Sequence, residues 1–382
     1  MHHLKVKSFG PIKEADVHFG DLTLLVGPQA SGKSIFIQLL KLLIDKNHTK
    51  RILEQYNFVW EKDLDKILDL YFGENMSKIW REKSEILFDG KTYHKSFLNP
   101  SKGKIFNEEQ LFYVPAQRIL SVSDGRPKNF MEFDVSTPYV LRHFSEILRQ
   151  LFQNGMDKSN PIFPIKNRLK EPLRASFNDS IFHDGKIVID EKTGQRKFRM
   201  EIQGMSVPFI TWSAGQKEFL PLLMAFYWLC PPSKVDKKDS YEYVVIEEPE
   251  MGLHPAAIQS VILQIIDLLS RDYKVIISTH SPVLLEFAWA FNLLKKSKAK
   301  DDVLYELFDL KKISTTKKLF EDILSKKEIK TYYFSREQNE VISKDISSLD
   351  AGNQDISIAE WGGISHFSAK ATDIVSKYYE EE

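Results

Sequence analysis

Two short stretches far apart in the chain describe the halves of one nucleotide site. The first, Gly27-Pro28-Gln29-Ala30-Ser31-Gly32-Lys33-Ser34, matches Gly-x4-Gly-Lys-Ser with no departure. Glycines let such a loop wrap closely, so successive backbone N–H groups point at phosphates. Lys33 is placed to neutralise the β- and γ-phosphates of ATP, and the Ser34 hydroxyl to ligate Mg²⁺. The second stretch, Ser213-Ala214-Gly215-Gln216, begins 180 residues after Lys33 and precedes an apolar run. Its hydroxyl, its glycine backbone and the helix N-terminus behind it form an anion site.

Three further positions supply chemistry between these halves. Glu247 and Glu248 follow the apolar run Tyr243-Val244-Val245-Ile246. Two carboxylates at the end of a buried strand are costly without a cation or a reacting water to use them. Glu247 reads as the Mg²⁺ holder and Glu248 as the group that orients or deprotonates the attacking water. His280 ends the apolar run Lys274–Thr279, where an imidazole can contact the γ-phosphate or the lytic water. Gln117, after Leu111–Val114 and Pro115-Ala116, is a neutral amide suited to Mg²⁺ or the lytic water.

These residues need strand ends and helix starts to hold them. Residues 4–9 and 15–26 read as strands, the glycine loop follows, and an apolar-rich helix covers Ser34 to Ile44. Leu111–Val114, Tyr243–Ile246 and Lys274–Thr279 read as buried strands. Ile258, Val261, Ile262, Ile265, Ile266 and Leu269 share one face at helical spacing, and Phe219–Leu229 is apolar almost all round. Tyr139–Phe152 reads as a helix, and 186–203 as a hairpin turning near Thr193-Gly194. Strands alternating with helices make an α/β sheet that binds ligands at its strand ends.

Composition bounds the partners. Lys+Arg and Asp+Glu are equal at 53 each, so no net field draws the chain onto DNA or an anionic membrane. Residues 295–330 carry eleven Lys against seven acids, which reads as a solvated face. The apolar run ending at Cys230 is too short to span a bilayer, and one thiol cannot form an internal disulfide. Both point to a cytoplasmic, non-membrane protein.

Gly27–Ser34, Gln117, Ser213–Gln216, Glu247-Glu248 and His280 stand in the order found in ABC-type ATPases. Ile246-Glu247-Glu248-Pro249-Glu250 with Leu253-His254-Pro255, and Ser278-Thr279-His280-Ser281-Pro282, look most like the OLD-like AAA_21/AAA_15 group, related to SMC and RecF-like ATPases. The opening Leu4–Phe9, Gly10-Pro11-Ile12 and Phe19 are similar to that group as well. The resemblance implies an α/β ABC-type (P-loop NTPase) head with a mixed sheet, N-terminal antiparallel strands and a helical lobe insertion. Residues 1–118 and 205–290 would form the ATPase core, 119–204 the helical lobe with its hairpin, and 291–382 a small C-terminal α/β region. It also implies two heads sandwiching two ATPs, with Ser213 and Gly215 capping the γ-phosphate held by the partner's Lys33. Pro249–Pro255 would lie at the dimer seam as the D-loop. Two departures stand out: position 247 is Glu where many ABC proteins have Asp, and the signature reads Ser-Ala-Gly-Gln where Ser-Gly-Gly-Gln is common.

OLD-family nucleases continue into a Toprim domain with an Asp-x-Asp pair. Asp345, Asp350, Asp355 and Glu360 are scattered with no such pair among them, so they read as turn and surface carboxylates and no built-in nuclease is expected. The expected function is a nucleotide-gated switch controlling a separately encoded effector, which the resemblance associates with bacterial anti-phage defence. A RecF-like or SMC-like ATPase acting on DNA is the alternative. A transporter subunit fits poorly, given the long Lys33–Ser213 separation and the absence of a membrane segment.

Overall fold

The chain was analysed as a computed structural model, which describes residues 1–60, 62–99, 108–154, 156, 161–191, 194–232, 240–338 and 340–379. Of the turn expected near Thr193-Gly194, Thr193 lies outside the described residues. Four short parallel strands carry the candidate site residues at their ends. Leu22–Val26 pairs with Lys274–Thr279, that strand with Tyr243–Glu247, and that one with Leu111–Val114. Register aligns Val26 with Thr279 and Glu247 with Ser278, so the glycine loop, His280 and Glu248 emerge at one edge of the sheet. That edge, outside the carboxyl ends of parallel strands, is where such sheets bind ligands.

Alternation decides which core each side chain enters. Leu24, Val26, Val244, Ile246, Val275 and Ile277 face one cluster, under the helices Ala214–Leu229 and Pro255–Ser270. Leu25, Val245 and Ile276 face the other, with Phe36, Ile37 and Leu40 of the helix after the glycine loop. A sheet covered on both faces explains why its strands read as continuous apolar runs.

Among the described residues, six further strands complete a ten-stranded mixed sheet. The run 15–26 is two strands, Ile12–His18 and Leu22–Val26, broken at Phe19-Gly20-Asp21. The break is required because Ile329–Glu337 and Glu340–Asp345 lie between them in the sheet. A strand cannot continue in a straight line and also shift sideways across two neighbours, about 14 Å at normal strand spacing. The C-terminal stretch, read above as a small region of its own, therefore contributes two strands to the main sheet. Beyond Ile12–His18 the sheet ends in His3–Phe9, Trp80–Phe88 and Lys91–Tyr93, all antiparallel. The hairpin Lys186–Asp190 and Lys197–Ile202 has gained a third strand, Met205–Pro208. The helix Tyr139–Asn154 packs against this lobe and the signature helix Ala214–Leu229.

The helix after the glycine loop runs Lys33–Gln55 and kinks at Asp45 (φ −114°, ψ 27°), one residue past its expected end. Asp45 accepts N–H bonds from Gln110 (2.9 Å) and Leu111 (3.0 Å), fastening the kink to the edge strand. Lys41 Nζ, fully buried, lies 2.7 Å from Asp45 and 2.6 Å from Glu109. Burial pushes the Glu109 carboxyl up, but Lys41 and His143 outweigh it and hold the group well below the usual range. Removing one partner of a buried ionic network leaves the others uncompensated. Lys41→Met should therefore cost about 3–5 kcal/mol of stability. The effect reads as a lower urea midpoint at unchanged m; an unmoved midpoint means the carboxylates do not depend on Lys41.

Candidate nucleotide site

The glycine loop is shaped by its neighbours as much as by its own residues. Gly27 has φ +144°, and a Cβ there would stand 2.5 Å from the Phe334 carbonyl oxygen. Gly32 has φ +79°, and its Cβ would press on Pro11 at 3.0 Å. The C-terminal strand and the Gly10-Pro11-Ile12 turn thus form the walls against which the loop folds, and both require glycine. A cavity of about 380 Å³ opens above the loop, lined by Gln29 to Ile35 with Pro11, Glu248 and His280.

Inside it, Lys33 curls back over its own loop. Its Nζ donates to the Gly27 carbonyl (2.8 Å), the Pro28 carbonyl (3.0 Å) and the Ser31 hydroxyl (3.2 Å). Burial pulls the Lys33 ammonium down to about 8, with Glu248, Glu247 and Glu250 partly opposing.

The carboxylate pair differs in environment. Glu247 is 3% exposed, and the Ala116 N–H reaches its Oε2 at 3.3 Å. Burial pushes its carboxyl up, while the Ser34 and Tyr113 hydroxyls facing it pull the other way. Oε1 is buried without a hydrogen bond of normal geometry. Glu248 is half-buried and sits 3.6 Å from His280 Nε2. His280 beside it, then Lys33 and Arg118, hold its carboxyl below the ordinary range. One member of the pair is thus strained in its charged form and the other favoured in it, an asymmetry that separates roles at active sites.

Glu248 also has φ 44°, a left-handed backbone that a non-glycine residue rarely adopts. Its N–H donates to the Ser278 carbonyl (2.8 Å), extending the ladder one residue past the strand before the chain turns. His280 is held from behind, because Glu250 Oε1 accepts from the His280 N–H (2.6 Å) and the Thr279 hydroxyl (2.7 Å). Glu250 was legible only as one more acid in Glu247-Glu248-Pro249-Glu250.

The other expected residues lie outside this cavity. Gln117 is exposed and sits at the N-cap of the turn Arg118–Ser121, lining no part of the cavity. The reason is its neighbour: Arg118, at 0% exposure, anchors the loop inward and leaves Gln117 facing out. Ser213 is exposed as well; its hydroxyl caps the helix Ala214–Leu229 by accepting from Gln216 N–H (3.3 Å). Gln216 returns the bond to Ser213 N–H (3.2 Å), a reciprocal capping box. Gly215 packs on Gly252 so closely that a Cβ would meet its carbonyl oxygen at 2.6 Å. The signature turn and the expected D-loop therefore share one surface of the chain.

The C-terminal carboxylates fold onto their own backbones. Asp345 accepts from Ser347 N–H, Asp350 from Gly352 N–H and Asp355 from Ser357 N–H, at 2.8–2.9 Å. Glu360 lies 2.8 Å from His366. Such two-residue loops are what Asp does in turns. Among the described residues no helix is long and apolar enough to cross a membrane. Cys230 is buried against Asp267 and Gln264, where burial pushes its thiol up, as for a packed, inert cysteine.

The chain is similar to several known proteins. The Old nuclease of Escherichia phage P2 is 22% identical over 351 residues, a span covering 77% of this chain. The chain covers 58% of that relative's length. Among solved structures, an SMC head bound to the C-winged helix domain of ScpA is similar at 12% identity and TM-score 0.42, over 90% of this chain and 96% of that one. The SMC head domain from Thermotoga maritima is similar at 12% identity and TM-score 0.36, over 90% and 99%. The family AAA_21, described as "AAA domain, putative AbiEii toxin, Type IV TA system", matches residues 22–286. With well over half its length matched and a phosphate loop, paired carboxylates and a histidine at the ends of three adjacent strands, the chain belongs to the AAA_21 family of P-loop ATPases.

Proposed function

We propose that the chain binds and hydrolyses ATP as a nucleotide-gated switch, closing with a second copy around two ATPs. One observation carries this reading. The cavity joins the phosphate loop to Glu248 and His280, while the exposed Ser213 and the half-buried Gly215 lie outside it. A half-site facing solvent on the same chain is completed by another copy.

In this reading the Gln29–Ser34 backbone cradles the phosphates, and Lys33 leaves its own carbonyls for the β- and γ-phosphates. Ser34 and Glu247 fit a divalent cation, since Glu247 is a buried carboxylate with one oxygen unbonded beside a hydroxyl. Mg²⁺, when bound, would neutralise phosphate charge. Glu248 takes a proton from water as its oxygen attacks the γ-phosphorus; the bond from that phosphorus to the β,γ-bridging oxygen breaks, releasing ADP. His280, 3.6 Å from Glu248, orients that carboxylate and reads the γ-phosphate. Gln117 would enter only when the loop before Arg118 shifts on closure.

The effector reading rests on relatives: the family description names a toxin of a toxin–antitoxin system, and one relative is a phage nuclease. We infer that closure is read by a separately encoded effector in bacterial anti-phage defence, in a cytoplasmic setting. The DNA-repair alternative predicts ATPase stimulated by DNA with a steep salt dependence.

Ser213→Arg tests the shared site. ATP binding to the monomer should persist, while ATPase per subunit falls at least about tenfold and loses its rise with protein concentration. Because Ser213 also caps its helix, about 1 kcal/mol of stability goes with it, so activity is compared well below the variant's Tm. An undiminished ATPase means the site is not shared.

A further inference from the structure

Arg118 is a charged side chain with no solvent exposure, one residue past Gln117. Burying a guanidinium is costly unless its N–H groups are satisfied, so what it bonds shows what it is there to hold. Its Nη1 donates to the carbonyl oxygens of Glu247 and Glu248, each at 3.1 Å. Its Nε donates to the Glu218 carbonyl (3.1 Å), in the second turn of the signature helix Ala214–Leu229. One rigid fork thus ties together three segments distant in sequence: the loop carrying Gln117, the carboxylate turn and the signature helix.

Two details give this junction a function beyond packing. The peptide it grips leaves Glu248 in a left-handed backbone, a conformation that persists only when the surroundings over-determine it. The Glu248 side chain is therefore aimed by a turn that Arg118 helps hold. In addition, Arg118 Nη2 and Glu218 Oε2 are both buried without a hydrogen bond, although the Arg118 charge acts on the Glu218 carboxyl.

We infer that Arg118 is a positioning residue that transmits contact at the signature turn to the candidate base Glu248. The partner's nucleotide presses on Ser213, which caps the helix carrying Glu218, and on Gly215 in that helix's first turn. Glu218 is joined through Arg118 to the Glu247 and Glu248 carbonyls. Closure and aim of the base are coupled through one guanidinium, so ATP bound by an open monomer is hydrolysed slowly. A lysine can reproduce this only in part, because a single ammonium can hold one side of the fork but not span both. The inference rests on the ATPase reading above.

The test compares Arg118→Lys and Arg118→Met with the wild-type chain for folding, ATP affinity and steady-state ATPase. A misaimed base lowers kcat without touching the phosphate loop. Arg118→Met should lose about 100-fold in kcat, with ATP affinity and KM within about threefold. Arg118→Lys should recover part of the loss. Unchanged kcat in a folded Arg118→Met overturns the inference, as does a loss of ATP affinity in step with kcat. Hydrogen exchange on the wild-type chain decides the matter even if the methionine variant does not fold. ATP should raise protection together in 214–220 and 247–252, and in neither when closure is blocked by Ser213→Arg. Protection of the first segment alone also overturns it. A wild-type chain with no ATPase under any condition would instead refute the underlying function, separately from Arg118.

Discussion

Lys33→Ala should weaken ATP binding at least about 100-fold, the loss expected when a charged hydrogen-bonding partner of phosphate is removed from a buried site. The resting side chain bonds three groups of its own loop, so the lysine is already placed over the point where phosphate oxygens would arrive. Binding replaces those neutral acceptors with charged ones, and the ammonium gains accordingly. A pH dependence follows. In the free chain Lys33 is pulled down to about 8 by burial, and bound phosphates raise it again. Binding above pH about 8 must therefore take up a proton, so affinity declines as pH rises past that value. Below it this group contributes no pH dependence. Calorimetry in buffers of different ionisation heat measures the uptake directly. Retained tight binding in Lys33→Ala would falsify the phosphate-loop assignment.

Glu248→Gln should bind ATP normally and lower kcat by about 1,000-fold, within the range general bases contribute. Glutamine keeps the shape and the strained turn but cannot accept the proton. Because ATP then persists, closed dimers should accumulate and appear as a larger species on gel filtration with ATP and Mg²⁺. The wild-type carboxyl is held below the ordinary range, first by His280, so it stays ionised through neutral and mildly acidic pH. Loss of activity in mild acid should therefore not be traced to Glu248. Normal turnover in Glu248→Gln would move the base elsewhere.

Much of the site was legible because its residues follow local rules. Gly27–Ser34 is a contiguous pattern between a strand and a helix, and Glu247-Glu248 and His280 each close an apolar run. The strands Leu111–Val114 and Lys274–Thr279 were read with the bounds they have. Arg118 and Glu250 were harder. Each is a common residue in a polar stretch, and its importance comes from partners far away in sequence: Glu218, Glu247 and Glu248 for one, Thr279 and His280 for the other. The Lys41–Glu109 pair was hidden for the same reason, a lysine within an apolar helix face and an acid in the polar run Glu108-Glu109-Gln110.

Composition and motif order sufficed to propose the class of chemistry: a phosphate loop, a candidate cation-holding carboxylate, a candidate base and a distant candidate half-site. Phosphate loops are encoded in consecutive residues because backbone N–H groups, which every residue carries, do the binding. The sheet was different. Only the folded chain reveals that Ile329–Glu337 slides between the N-terminal strands and the loop strand, and that Phe334 presses against Gly27. Strand order depends on pairings between segments some 300 residues apart, and hydrophobic alternation is the same whichever neighbour a buried strand has. For that reason the candidate half-sites could be named from the sequence, while the guanidinium that bonds the helix Ala214–Leu229 to the carboxylate turn could be found only in three dimensions.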